Sequence, residues 1–230
     1  MDDPPVVSPP VSSLVVAIDG PSGSGKSSTS RGVAGRLGLR YLDTGAMFRA
    51  ITWWMLAQGV DLTDPEAIAA HADEPQIESG TDPDNPTIRV DGADVSVAIR
   101  SDEVNAAVSP VSAVPRVRSR LLELQRQIIG AGGIVVEGRD IGSVVAPDAP
   151  VKVYLSADAQ ARAIRRAAEA GGDVAATQDS LLARDRIDSG RATAPLVLAE
   201  GAVHIDTTPY TLDEVIEQVV TLVEALEAEA

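Results

Sequence analysis

The sequence contains no cysteine. Disulfides and thiolate metal sites are thereby excluded, which fits a protein of the reducing cytoplasm. Lysine is almost missing as well: only Lys26 and Lys152 occur, against 17 arginines. Aromatic residues make up 3% of the chain, so any core must be aliphatic. The two histidines, His71 and His204, stand far apart with no metal-ligand spacing and read as structural. No apolar run reaches transmembrane length. Positive charge is also in deficit, with a net charge of −15. A chain this acidic lacks the basic field that general nucleic-acid or anionic-membrane binding requires, so neither partner is expected. Residues 1–12, MDDPPVVSPPVS, are acidic and proline-rich; they lack the basic start and long apolar stretch of a signal peptide and are expected to form a disordered leader.

What remains is ample for a fold. Hydrophobic residues make up 44% of 230, enough for one large α/β domain or a core carrying a small insertion. The most informative stretch is Leu14 to Arg31, LVVAIDGPSGSGKSSTSR. An apolar strand-like run enters Gly20-Pro21-Ser22-Gly23-Ser24-Gly25-Lys26-Ser27, which is G-x-x-x-x-G-K-S, and a helix pattern follows. Glycines let backbone N–H groups close around phosphate oxygens, and the helix N-terminus adds its dipole. Lys26 can place a charge between the outer phosphates, and the Ser27 hydroxyl can hold Mg2+. A triphosphate site is expected, with Gly20 through Ser28 as its lining.

The rest of the chain alternates strands with helices. The pattern predicts helices over 27–37, 44–58, 114–129, 158–170, 177–187 and 211–229, and strands at 40–42, 134–136, 151–155 and 203–205. Gly171-Gly172 separates two of the helices. The alternation implies a parallel sheet with helices on both faces, whose ligands bind beyond the carboxyl ends of the strands. The phosphate loop, Asp43-Thr44, Gly138-Arg139-Asp140 and Asp206 all fall at such ends. Residues 61–100 differ: they are rich in Asp, Pro and Gly, and 87–95 form a hairpin pattern around Asp91-Gly92. Gln76 to Glu78 would add a third strand. This segment reads as a small antiparallel insertion, with the core at 13–60 and 101–230.

The arginines are the second signal. Arg162, Arg165 and Arg166 have helical i, i+3, i+4 spacing and share a face. Arg49, Arg116, Arg118, Arg139, Arg184, Arg186 and Arg191 lie on other elements predicted to border the crevice. Each one alone reads as a surface residue. Together, in a chain of charge −15, they favour a second bound anion.

The chain is similar to the bacterial cytidylate kinases, (d)CMP kinases of the nucleoside monophosphate kinase class. The pieces that carry the resemblance are IDGPSGSGKSS, YLDTGAMFRA, IRSDEVNAAVS, VPRVR, VEGRDIGSVV, ARAIRR and RDRIDSGRATAPL, spanning Leu14 to Leu196 in order. It implies a P-loop kinase core, a monophosphate-binding insertion at 61–100 and a helical lid at about 158–192. The implied reaction phosphorylates CMP and dCMP with ATP, aided by Mg2+, and a monomer is expected. Lys26, Arg139, Arg162 and Arg191 would be catalytic. Thr44, Arg49 and Arg139 would hold the acceptor phosphate. Ser109 (or Ser112), Arg118 and Asp140 would meet the cytosine. Arg184 and Asp188 would hold the sugar. Ser27, and Asp43 through water, would hold Mg2+. A kinase of the same fold with another acceptor, such as UMP, is the alternative; a nucleotide-dependent switch is less favoured, because the chain has no N-K-x-D.

Overall fold

The computed structural model describes residues 13–170, 173–191 and 194–228. The expected leader, 1–12, and the Gly171-Gly172 separator lie outside the described residues. A five-stranded parallel sheet forms the centre, in the order β2-β6-β1-β7-β8. Its strands are β1 (Val15–Asp19), β2 (Arg40–Asp43), β6 (Ile134–Gly138), β7 (Val151–Ser156) and β8 (Val203–Asp206). In register, Asp19 sits beside Gly138 and Tyr154, so β1 and β6 end level while β7 runs on to Ser156. The strand order reverses between β1 and β6, which places a ligand crevice above these two strands.

Alternating side chains bury both faces, as a parallel sheet requires. Ala17, Leu42, Ile134 and Val136 pack against α2 (Thr44–Ala57) and α5 (Pro115–Ile129). Val16, Ile18, Tyr41, Val135, Val153 and Leu155 form the other half-core, with α1 (Lys26–Leu37) and α8 (Leu212–Ala228). The remaining helices of the core are α6 (Ala159–Ala170) and α7 (Val174–Gly190), which pack on each other. No helix among the described residues is long and apolar enough to cross a membrane.

Within 61–100, α3 (Pro65–Ala70) precedes an antiparallel sheet of β3 (Ile77–Ser79), β4 (Ile88–Val90) and β5 (Ala93–Asp94). The turn at Asp91-Gly92 has φ of 51° and 81°, the doubly left-handed geometry that matches strand twist in a two-residue hairpin. The sheet is docked on the core. Tyr41 N–H donates to Thr81 O at 2.8 Å, and Arg31 of α1 reaches Pro83 O at 2.7 Å. The open edge of β2 is thereby covered.

Two helices were not expected from the sequence. α3 is only six residues long. α4 (Asp102–Ala113) carries Pro110 in its interior, which removes one helical hydrogen bond. It forms because Ser101 caps it through Val104 N–H and because Val104, Val108 and Val111 bury one face.

Candidate active site

The phosphate loop runs from Gly20 to Gly25 between β1 and α1. At Gly20, φ is +149°, and a Cβ would lie 2.1 Å from the Leu155 carbonyl oxygen. Gly25 is left-handed, φ +87°, and starts α1 without a side-chain cap. Four of the loop's carbonyls are hydrogen-bonded. Arg139 Nη1 donates to Gly20 O at 2.8 Å, Lys26 Nζ to Pro21 O at 2.9 Å, Arg162 Nη1 to Ser22 O at 3.1 Å and Thr207 Oγ1 to Ser24 O at 3.1 Å. Ser24 Oγ also donates to Pro21 O. With its carbonyls occupied in this way, the loop can offer N–H groups to an anion. Gly20→Ala is expected to lower stability by about 2 kcal/mol and the melting temperature by about 6 °C, a shift that thermal unfolding would read directly.

Above the loop lies a cleft of about 320 Å³. Eight of its lining side chains are cationic: Lys26, Arg49, Arg100, Arg118, Arg139, Arg166, Arg184 and Arg191. Four are carboxylates: Asp43, Glu137, Asp140 and Asp188. A positive excess in a chain of net charge −15 is a local device for anions. The cations crowd one another. Burial, then Arg184 and Arg166, brings Arg49 down to about 9. Burial, then Arg139, brings Lys26 down to about 7. A bound phosphate relieves both.

The carboxylates hold the arginines in place. Arg118 and Asp140 form an ion pair with both side chains below one-tenth exposed. The Arg118 guanidinium also lies 5.4 Å from the Phe48 ring centroid and donates to Ser112 O. Arg139 Nε donates to Asp188 Oδ2 at 2.9 Å, and Arg191 Nε to Asp188 O at 3.2 Å. Arg49 donates to Asn105 Oδ1 at 2.7 Å. Asp19, buried at the end of β1, accepts from Ile141 and Gly142 N–H, each at 2.8 Å. It anchors the π-helical turn Ile141–Val145 directly behind Arg139-Asp140. Burial pushes Asp19 up to about 6 although those bonds favour its anion.

Most of the expected residues meet in this cleft. Ser22, Gly23, Gly25, Lys26, Ser27, Ser28, Asp43, Thr44, Arg49, Ser109, Ser112, Arg118, Arg139, Asp140, Arg184, Asp188 and Arg191 all line it. Gly20, Pro21 and Ser24 do not; they shape the loop from behind. Arg162 does not line it either, because it is buried between Ser22 O and Asp185 Oδ2. Arg165 turns to Thr207, and Arg116 pairs with Asp73. Asp206 is exposed and accepts from Thr208, so it stands apart from the crevice. The cap of α2 is Asp43, which accepts from Ala46 N–H. Thr44 Oγ1 donates to Glu137 O at 2.7 Å, joining α2 to β6. Of residues 61–100 only Arg100 reaches the cleft.

Glu137 is the main residue that the sequence reading passed over. It ends the buried β6, and burial, followed by the Asp43 charge, raises its carboxyl to about 7. The signal was an acidic residue closing the Ile134-Val135-Val136 run, adjacent to the Gly138-Arg139-Asp140 motif. Phe48 and Val108, which supply an apolar wall, carry no comparable signal.

A glycine-built phosphate loop at the switch point of a parallel sheet, facing a second cluster of arginines, defines a P-loop kinase. Two solved structures share the fold. A gluconokinase from Sinorhizobium meliloti 1021 superposes with a TM-score of 0.51 at 14% identity, covering 94% of this chain and 95% of that one. An uncharacterized protein from Eubacterium ventriosum gives 0.53 at 11% identity, covering 93% and 99%. The chain belongs to the cytidylate kinase family, whose family model matches residues 16–225. The cytidylate kinase of Streptomyces griseus is 61% identical over 216 residues, 93% of this chain and 94% of its own. That of Streptomyces avermitilis is 59% identical over 217 residues, with the same coverage. That of Nocardia farcinica is 54% identical over 211 residues, 89% of this chain and 91% of its own.

Proposed function

We propose that the protein transfers the γ-phosphate of ATP to CMP and dCMP, giving ADP with CDP or dCDP. The observation that supports this most is the buried Arg118–Asp140 pair between Phe48, Ser109 and Ser112, in the same cleft as the phosphate loop. Cytosine presents an amino donor beside a ring-nitrogen acceptor. Asp140 can accept from the amino group, and Arg118 can donate to the ring nitrogen or the carbonyl. Ser112 Oγ already donates to Ser109 O, so Ser109 is the serine whose hydroxyl is assigned to the base.

The loop residues Ser22, Gly23 and Gly25 to Ser28 hold the triphosphate, with backbone N–H groups and Lys26 at its outer phosphates, while Gly20, Pro21 and Ser24 shape the loop from behind. Arg49 and Arg139, with Thr44 beside them, hold the acceptor phosphate. Arg184 and Asp188 hold the sugar. An oxygen of the CMP phosphate attacks the γ-phosphorus in line; the bond from that phosphorus to the bridging oxygen breaks, and ADP leaves. The attacking group is already an anion, so positioning and charge neutralisation suffice. Arg162 contributes as a brace for the loop, and the segment 158–192 acts as a lid. Closure excludes water, which would otherwise receive the phosphate. Residues 61–100 support the acceptor side through Arg100 and the packing of α2.

The oxygen donors at the loop suit a small hard cation: the Ser27 hydroxyl, with Asp43 and Glu137 lining the same cleft. Ser27 would hold Mg2+ directly and Asp43 through water. Bound there, the ion would neutralise phosphate charge and orient the triphosphate.

Coupled ADP release measured with CMP, dCMP, UMP and AMP tests the assignment. CMP and dCMP are expected to be used, and UMP poorly; UMP as the preferred acceptor would overturn it. Arg191→Ala is expected to lower kcat by about 100-fold with little change in ATP affinity, since its contact forms mainly on the transferring group. Its guanidinium is restrained in this structure by Asp188, and burial lowers its pKa. A variant with weakened ATP binding and preserved kcat would contradict that role.

A further inference from the structure

The mechanism gives no task to the buried hydroxyl of Tyr41. Tyr41 on β2 is 2% exposed. A phenylalanine would fill the same space, so the hydroxyl needs its own reason. That hydroxyl donates to Glu137 Oε1. The other oxygen, Oε2, accepts from Ser27 Oγ at 3.0 Å. Two strands and the phosphate-loop helix thus meet in a chain running from phenol to carboxylate to hydroxyl.

The direction of the chain matters. A serine hydroxyl ligates a cation through an oxygen lone pair, so its single proton must point elsewhere. Glu137 Oε2 receives that proton's hydrogen bond. A carboxylate held by one oxygen alone is free to turn. Tyr41 fixes the second oxygen and keeps Oε2 on Ser27. The phenol O–H is the donor of the bond to Oε1, so the carboxylate accepts at both oxygens. The backbone of Tyr41 is fixed too, between β6 and the Thr81 carbonyl of the docked insertion.

We infer that Tyr41 is a positioning residue for the divalent cation of the phosphate loop, acting through Glu137 to orient the Ser27 hydroxyl with its lone pair toward the ion. The inference rests on the reading of this cleft as a Mg2+–ATP site.

Tyr41→Phe keeps the ring and removes the donor. Calorimetric titration of ATP, once with Mg2+ and once with EDTA, gives the factor by which the cation strengthens binding. Tyr41→Phe is expected to cut that factor about tenfold, while metal-free ATP affinity stays near wild type. Glu137→Gln keeps the shape but cannot accept both bonds, and should cut the factor at least as far. In a Ser27→Ala background, Tyr41→Phe should cost nothing further, because the hydroxyl it orients is gone. Three results overturn the relay: a wild-type factor in Tyr41→Phe, an equal loss of ATP affinity with and without Mg2+, or full additivity with Ser27→Ala. If the unaltered protein binds ATP no better with Mg2+ than with EDTA, the site reading fails and the relay with it.

Discussion

Lys26→Ala is expected to lower kcat by about 10³-fold while the fold survives, as a steady-state assay beside a thermal melt would show. The physical case starts from burial. Lys26 is 7% exposed and has a backbone carbonyl, Pro21 O, as its hydrogen-bond acceptor. Burial and the Arg139 charge make its ammonium costly, which is why its pKa falls to about 7. Removing a strained buried charge therefore costs little stability. Its value appears only when a polyphosphate arrives and charge builds on the transferring group. A variant with near wild-type kcat would take Lys26 out of the mechanism.

Asp140→Asn should change which base is used. The amide keeps the shape and one acceptor for Arg118, but it turns a donor toward the base. CMP would then meet a donor where its amino group needs an acceptor, and UMP would gain a partner for its carbonyl. The kcat/KM for CMP is expected to fall by about 10³-fold, and that for UMP to change by less than about tenfold. The readout is the ratio of the two values, measured for both proteins under one ATP–Mg2+ condition. Equal losses would make Asp140 a scaffold for Arg118 alone, and the base reader would then be sought at Ser109 and Ser112. Asn is the better variant here, because Asp140→Ala would strand the buried Arg118 without its partner.

How much of this was legible in the chain depended on how local the cause was. The phosphate loop is a matter of spacing within eight residues, and its strand–loop–helix context is visible on either side. The Asp91-Gly92 hairpin is local too, since the turn type dictates the residues. α4 was not legible: Pro110 argues against a helix, and only packing of Val104, Val108 and Val111 outweighs it. The arginine stripe on α6 was half legible. Spacing places Arg162 and Arg165 on one face, but spacing cannot say that the face meets Ser22 O and Thr207 and not a phosphate. Asp206 failed for a related reason. Strand ends were expected to converge, yet β8 is the edge strand, and its final carboxylate turns to a local Thr208 turn. Glu137 gains its importance from Tyr41 and Ser27, which lie 96 and 110 residues away in sequence. No pattern within one element could report that meeting.

The central claim is a direct transfer of phosphate between two nucleotides in one cleft. Phosphorus-31 NMR of the protein with ATP, Mg2+ and CMP tests it most directly. ADP and CDP resonances are expected to grow together, one for one, while inorganic phosphate stays at background. ATP consumption that yields inorganic phosphate and leaves CMP unchanged would contradict it.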